Sequence, residues 1–358
     1  MKRLCICGGG NLGHVIAGFV AAQQDMEVSL LTNRPEAWSQ ELVITDVNGN
    51  GHPSTVHRPP SPFLTSPSSI FRGRLKAVSS AAEEVIANAD MVLLCLPGFA
   101  IHDELLKIRP WLKAGACVGS VVASTGFFFE AFSLLSKDTP LFGFQRVPFI
   151  ARTTQYGKAA DLKGYRKELF VAIEQTTEKE MLRQQLERML KTPIHLLKSH
   201  YEVSLTNSNP LLHPSRLYSL WKDWKPGLVY DTVPAFYYDW TDEASEYLIA
   251  MDNEFQQLLK VLPVSPGSIP PLLTYYESSD IPSLTRKIRS IPAFAGMMAP
   301  MKPCDGGFVP DFSNRYFTED FPYGLAIINK VMHEKGIPCP TIDRILEWGR
   351  RWIVKSEE

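Results

Sequence analysis

The chain has 358 residues, 45% of them hydrophobic and 21% charged, which is too long for one comfortable core and excludes a disordered or fibrous protein. Lysine plus arginine (37) nearly cancels aspartate plus glutamate (38), and the net charge of −1 excludes an electrostatic footprint for nucleic acid or an anionic membrane. Small-molecule partners are therefore expected, and the composition leaves a homodimer open.

The N-terminus, MKRLCICGGG, is basic and then apolar, but glycines break the apolar run at once. It reads as the first strand of the fold and not as a signal peptide, and no later stretch approaches the length of a membrane span. Cysteines 5, 7, 95, 117, 304 and 339 form no C-x-x-C pair, and four of them lie in apolar runs. Reduced core cysteines in a cytoplasmic protein follow.

Directly after the strand at 2–7 comes GGGNLGHVIAGFVAAQ. Gly8, Gly10 and Gly13 satisfy G-x-G-x-x-G, and Val15, Ile16, Phe19 and Val20 recur at helical spacing. Gly8 would permit the tight turn, Gly10 the approach of a pyrophosphate, and Gly13 the close packing of helix on strand. The free N–H groups at the helix start, on Asn11 and Leu12, would hold the phosphates. A second strand, at 27–32, ends at Asn33 and Arg34, where an NAD site usually carries an acidic residue for the ribose 2′-hydroxyl. A guanidinium and an amide there suit a 2′-phosphate, so NADP(H) is expected over NAD(H), with NAD(H) still usable.

Alternating helix and strand patterns continue through SSAAEEVIANAD, MVLLCLP, HDELLKIRPWL and ACVGSVVAS, the layout of a doubly wound sheet. Ligands of such sheets sit at the carboxyl ends of the strands, which places Pro97, Gly98 and residues 124–126 beside the nicotinamide. Residues 45–75, with NGNG at 48–51, read as a hairpin and excursion without chemistry. LFGFQRVP closes the sheet. RTTQYG and ELFVAIEQ read as further strands, and TEKEMLRQQLERML as a helix opened by a threonine cap at Thr177 with Glu180 completing a capping box. The resulting fold class is α/β plus all-α, with a dinucleotide-binding Rossmann domain at 1–195 and a helical substrate domain at 196–358.

Beyond residue 199 strand patterns nearly vanish. Helices are expected over 242–262, in PSLTRKIRSI, in YGLAIINKVMHEKG and in PTIDRILEWGRRWI, with proline-rich breaks at 263–271 and 300–310. The aromatic residues Trp221, Trp224, Tyr230, Phe236, Tyr237, Tyr238 and Trp240 read mainly as core between helices, with a pocket floor as the alternative. Prolines 210 and 214 bracket His213 in SNPLLHPSRLY, a stretch that settles neither as helix nor as strand. No histidine shows metal-ligand spacing, and no metal is expected.

NSNPLLHP together with DFSNRYFTEDFPYGLA (311–326) resembles the octopine and nopaline (opine) dehydrogenase family, within the 6-phosphogluconate dehydrogenase-like reductases; the likeness spans essentially the whole chain. The resemblance implies NAD(P)H-dependent reductive condensation of an amino acid with a 2-oxo acid to a secondary amine. It implies His213 as the catalytic histidine, Asp320 as its partner, and Arg315 as the anchor for the keto-acid carboxylate. The chemistry suits these residue types: an ammonium must lose a proton before it attacks a carbonyl, and a carbinolamine hydroxyl must gain one to leave. Asn209 and Arg152 are further candidates for contact with substrate. An amine-independent 2-oxo acid (ketopantoate-type) reductase, and a catalytically silent dinucleotide-binding sensor, remain as alternatives.

Overall fold

In the computed structural model, residues 2–47, 70–124 and 126–353 are described. The chain divides into two compact units, Met1–Ser204 and Leu205–Glu358. The NGNG turn and Thr125 lie outside the described residues.

Among the described residues the first unit holds twelve strands: β1 (Lys2–Cys7), β2 (Met26–Leu31), β3 (Glu41–Asp46), β4 (Ile70–Arg74), β5 (Ala77–Ser79), β6 (Met91–Leu94), β7 (Cys117–Ser120), β8 (Leu141–Phe144), β9 (Phe149–Gln155), β10 (Ala159–Tyr165), β11 (Leu169–Glu174) and β12 (Ile194–Leu196). Its helices are α1 (Asn11–Ala21), α2 (Ala82–Ile86), α3 (Gly98–Ile108), α4 (Phe127–Leu134), α5 (Lys179–Leu190) and α6 (His200–Ser204). Eight strands form one sheet in the order β12-β11-β8-β7-β6-β1-β2-β5, parallel throughout except where β11 meets β8. The run of buried residues in β1, β6, β7 and β8 follows from this position, since the central strands of a parallel sheet are covered on both faces. Cys5, Cys7 and Cys117 are among those buried residues, and all six cysteines are free thiols.

A second sheet, ordered β4-β3-β10-β9, joins two segments that the sequence leaves far apart. It lies over α1, so that helix is enclosed between two sheets. Glycine is required at that contact: a Cβ on Gly18 would stand 2.5 Å from Cγ1 of Ile44. At α5 the expected threonine cap does not form. Glu178 occupies the cap position without a side-chain bond, and the Thr176 hydroxyl accepts the Glu178 N–H instead.

The second unit contains α7 (Asn209–Trp221), α8 (Asp242–Val261), α9 (Leu272–Tyr275), α10 (Ile281–Ser290), α11 (Arg315–Thr318), α12 (Ala326–Glu334) and α13 (Pro340–Ile353). Helix α8 opens on Thr241, whose hydroxyl accepts the Ala244 N–H, and buries Leu248, Met251, Phe255 and Leu258 along one face. Its Glu254 carboxylate accepts the N–H groups of Thr341 and Ile342, satisfying the start of α13. The expected helical domain carries one short strand pair. Within the proline-rich stretch 300–310, β13 (Met301–Cys304) and β14 (Gly307–Pro310) pair as an antiparallel hairpin, its turn at Gly306 and Gly307 using positive φ. Among the described residues no helix is long and apolar enough to cross a membrane.

Candidate active site

In the first unit the glycine turn has the geometry that phosphate binding demands. Gly8 adopts φ +114°, and a Cβ there would stand 2.7 Å from the Cys95 carbonyl oxygen. A Cβ on Gly13 would overlap the Gly8 carbonyl, so helix and strand approach as closely as glycine allows. Around Gly10 there is open space, with nothing within 4 Å of an added Cβ. A cradle of backbone N–H groups with a vacant approach over Gly10 fits a pyrophosphate.

The neighbouring side chains are already committed. Asn11 Oδ1 accepts the Thr153 N–H at 2.8 Å, and Leu12 packs partly buried against the core, so both would meet a ligand through their backbone. His14 is buried, its Nδ1 2.9 Å from the Gly10 carbonyl and its Nε2 accepting the Gly157 N–H at 2.7 Å. Burial pulls its imidazole below the ordinary histidine range, against the bond to Gly10, which acts in the opposite sense. His14 is thus a neutral tie between the glycine turn and the second sheet. Its ring stacks on Trp38 with centroids 4.1 Å apart and meets the Tyr156 edge. The Tyr156 hydroxyl overhangs Gly9, 2.9 Å from where a Cβ would lie. Sequence reasoning missed this residue, because it enters from the turn between β9 and β10, more than 140 positions away. Asn33 and Arg34 are exposed at the end of β2, and no carboxylate pairs with Arg34 among the described residues. Pro97 is exposed at the cap of α3, and Arg152 is exposed on β9, in register with Asp161.

In the second unit, His213 lies on a helix, contrary to the expectation that the two prolines hold it outside one. Both are compatible with α7. Pro210 occupies the first turn, where an N–H has no intrahelical acceptor, and Pro214 removes only the bond that would run to the Pro210 carbonyl. Asn209 is the first residue of the helix, its N–H bonded to the Asn207 side chain.

Asp320 reaches this helix through a close contact. It precedes a π-helical turn, Phe321–Leu325, in which Gly324 packs on Pro210; a Cβ on Gly324 would stand 2.5 Å from the proline Cγ. The Asp320 carboxylate then lies 2.7 Å from His213 Nδ1. A carboxylate only accepts, so Nδ1 carries the proton and the neutral ring presents Nε2 as acceptor. Nε2 is met at 2.8 Å by the Tyr237 hydroxyl. Burial pushes the Tyr237 hydroxyl well above its usual range, and the neighbouring Tyr316 adds to this through its charge and a hydrogen bond. The Tyr316 ring lies over the imidazole at 4.4 Å, and that of Phe236 meets its edge at 5.8 Å. His213 is 5% exposed.

Arg216, one helical turn beyond His213, is buried. It donates from Nε to the Phe236 carbonyl at 2.9 Å and from a terminal nitrogen to the Asp239 carbonyl at 2.7 Å, and it faces Trp240. Burial lowers its pKa to about 10. The guanidinium thereby fixes the segment that carries Tyr237. The aromatic cluster is mostly core, as expected, with Trp221, Phe236 and Trp240 buried, but Tyr238 is 71% exposed and Tyr237 joins the histidine. Arg315 stands at the start of α11 with its side chain 74% exposed, paired with Glu319 at 3.0 Å and not with Asp320.

One group of possible metal donors is absent from the linear pattern and appears in space. The donor atoms of His333, Cys339 and Asp343 lie within 4.8 Å of one another. Hydrogen bonds already occupy them: His333 Nε2 meets Asp343 Oδ1 at 2.7 Å, and the Asn329 amide donates to the same oxygen at 2.6 Å. Burial pushes the Cys339 thiol up to about 12. The group ties α12 to α13.

Residues 196–352 match the family model described as NAD/NADP octopine/nopaline dehydrogenase, alpha-helical domain. The chain is 29% identical to the tauropine dehydrogenase of Arabella iricolor, over 99% of its own length and 92% of that protein's. To the octopine dehydrogenase of Pecten maximus it is 26% identical, over 99% and 91%. A solved octopine dehydrogenase structure with NADH and L-arginine shares the fold at a TM-score of 0.81 and 24% identity, covering 99% of this chain and 90% of that one. The helical-domain match, the full-length likeness and the shared two-part fold together make the chain similar to the octopine/nopaline (opine) dehydrogenases.

Proposed function

We propose that the protein condenses an amino acid with a 2-oxo acid and reduces the product to a secondary amine at the expense of a nicotinamide dinucleotide. The observation that carries this reading is His213 held between Asp320 and Tyr237 in the helical unit. His213 is the acid–base group. It removes a proton from the incoming ammonium and later returns one to the carbinolamine hydroxyl, which leaves as water. Asp320 holds the imidazole in one tautomer and favours the imidazolium that forms between the two steps. The bound nicotinamide supplies the hydride. Gly8, Gly10 and Gly13, with the N–H groups of Asn11 and Leu12, hold the pyrophosphate, and Pro97 borders the nicotinamide.

Arg315 anchors the 2-oxo acid through its carboxylate, which competes with Glu319 for the guanidinium. Asn209 and Arg152 are assigned to substrate contact. Exposed Arg34 beside Asn33, with no acidic residue at the end of β2, supports NADP(H) over NAD(H).

The test follows NADPH and NADH oxidation with pyruvate, 2-oxoglutarate and other oxo acids, each with and without the common amino acids. Oxidation that requires the amine and disappears in His213→Ala is expected, with a loss of about 10²- to 10⁴-fold. Oxidation that proceeds without amine would refute the condensation.

A further inference from the structure

The tie between α12 and α13 is made of an imidazole, a thiol and a carboxylate, which together are also a set of metal ligands. His333 stands in the last turn of α12 and Cys339 directly before α13. Asp343 lies in the first turn of α13, its N–H bonded to the Cys339 carbonyl, so the two side chains share one face of the helix. The turn between the helices is closed by its own backbone. Lys335 caps α12, Gly336 adopts φ +66°, and the N–H groups of Gly336 and Ile337 bond the His333 and Met332 carbonyls at 3.1 and 2.9 Å. A short, bonded connection thus sets His333 against Cys339, independently of any attraction between their side chains.

The donor atoms are spaced as the corners of a tetrahedron. Zinc holds a thiolate sulfur at about 2.3 Å and an imidazole nitrogen or carboxylate oxygen at about 2.0–2.2 Å, which puts the sulfur about 3.6 Å from the other two donors and those two about 3.4 Å apart. Here Cys339 Sγ is 3.8 Å from His333 Nε2 and 3.7 Å from Asp343 Oδ1. Nε2 and Oδ1 are 2.7 Å apart, a hydrogen-bond length, and would separate by about 0.7 Å when an ion replaces that bond. The bonds from His333 and Cys339 both end on Asp343, within the set, so an ion that displaces them strands neither group. Asn329 supports the set from outside. Its amide donates to Asp343 Oδ1 at 2.6 Å and to Cys339 Sγ at 3.7 Å, the kind of outer partner that orients metal ligands. Cys339 is buried, whereas the side chains of His333 and Asp343 are partly exposed, which gives an ion its way in.

We propose that His333, Cys339 and Asp343 bind a zinc ion, with water in the fourth position, as a removable staple between α12 and α13. Sulfur and imidazole donors select a zinc-type ion over magnesium or calcium, which take oxygen. On binding, the Cys339 S–H bond breaks, its proton leaves to solvent, and the sulfur ligates as thiolate. His333 ligates through Nε2 with its own proton on Nδ1, and nothing is oxidised or reduced. Three protein ligands hold the ion less tightly than the four of a closed structural site, so it exchanges with free zinc. While bound, it stabilises the folded helical unit by mass action. None of the three residues is assigned to the dinucleotide or to His213, and the staple does not depend on the condensation chemistry.

Zinc is d¹⁰ and has no visible spectrum, so cobalt(II) is the probe. The untagged full chain, reduced and stripped with a chelator, is titrated with cobalt(II) and then with zinc while absorbance is recorded. One equivalent of cobalt should produce a near-ultraviolet thiolate-to-metal charge-transfer band and the intense visible bands of a four-coordinate ion, and one equivalent of zinc should erase both. Cys339→Ser should lose the charge-transfer band, and His333→Ala and Asp343→Asn should each weaken cobalt binding by at least about tenfold. Cys304→Ser, which removes the exposed thiol, should bind as the parent does. Circular dichroism establishes that each variant is folded. Zinc should raise the Tm of the parent and leave that of His333→Ala unchanged. A parent without the charge-transfer band would overturn the proposal. So would a band that survives in folded Cys339→Ser or disappears in Cys304→Ser, since either places the metal elsewhere, or parent affinity in both His333→Ala and Asp343→Asn.

Discussion

Replacing Gly10 and Gly13 separately by alanine tests the glycine turn, because the two sites have opposite surroundings. Gly10 has φ −80° and ψ −174°, extended backbone that any residue adopts, and open space where a Cβ would go. Gly10→Ala should leave the unliganded protein as stable as the parent, or about 0.4–1 kcal/mol more stable through the lower entropy of its unfolded chain. The methyl group would project into the approach over the turn. Losing one charge-assisted bond between backbone and phosphate costs about 1.5–3 kcal/mol, roughly tenfold to a hundredfold in Kd. At Gly13 alanine gains about 1 kcal/mol in helix propensity, but the new carbon overlaps the Gly8 carbonyl and must retreat by over ~1 Å to reach ordinary van der Waals separation. Because the obstacle is backbone, Gly13→Ala should cost more than the roughly 1–3 kcal/mol typical of overpacking in flexible surroundings. Urea denaturation measures the stabilities, and calorimetric titration with NADH and NADPH measures the affinities. A stable Gly10→Ala protein that binds both dinucleotides as the parent does would refute the placement of the pyrophosphate. Parent stability in Gly13→Ala would refute the account of helix packing on strand.

Arg34→Ala should lower NADPH affinity roughly tenfold relative to NADH, read as a ratio of Kd values; an unchanged ratio would remove the basis for NADP(H) preference. Arg216→Lys cannot reach both carbonyls held by the guanidinium, and leaving one buried carbonyl unpaired should cost about 1–3 kcal/mol in urea denaturation. Acidification should also weaken the first unit. The His14 pKa is lowered on folding by burial, so the unfolded chain binds the proton more readily. Its contribution to stability is complete above the ordinary histidine pKa near ~6.5 and is lost as pH falls from there towards the folded value. NMR titration of the His14 ring should place its inflection below the ordinary ~6.5, and an inflection at or above that value would contradict its burial as a neutral tie.

The strand, glycine turn and first helix could be read from the sequence because every signal involved is local. Periodicity, glycine spacing and strand length all lie within residues 2–20. The second sheet could not be read in this way: β3 pairs with β10 across more than a hundred positions, and short strands with partly exposed faces carry no mark of their partners. At α7 the signal was present but ambiguous. Prolines 210 and 214 oppose a helix in isolation, and the packing of Pro210 on Gly324, which places Asp320 beside His213, is a contact between segments more than a hundred residues apart. The motifs point to His213 and Asp320, which the fold brings to 2.7 Å, and to Arg315, which pairs with Glu319 instead, whereas Tyr237 reads only as one member of an aromatic cluster. An aromatic residue in a helical domain reads as core until its hydroxyl is seen to have a partner, and here that partner is Nε2 of His213.

The enclosure of α1 between two sheets bears on how the chain is made. During synthesis, β1 and α1 emerge first, yet the surface that buries the outer face of α1 is completed only when β9 and β10 arrive, ending at Tyr165. Until then His14, which Gly157 and Tyr156 close over, and the side of Phe19 that meets Phe149 remain uncovered on the nascent chain, although β3 and β4 already lie over Gly18. Non-local pairing of this kind folds slowly, because loop closure precedes the contacts that reward it. A fragment that stops at the end of β8 would hold the whole glycine turn and still lack β9 and β10, half of the lid on its helix. Ribosome-bound chains should therefore gain dinucleotide-binding competence abruptly, once β10 has cleared the exit tunnel, and not gradually as the parallel sheet grows.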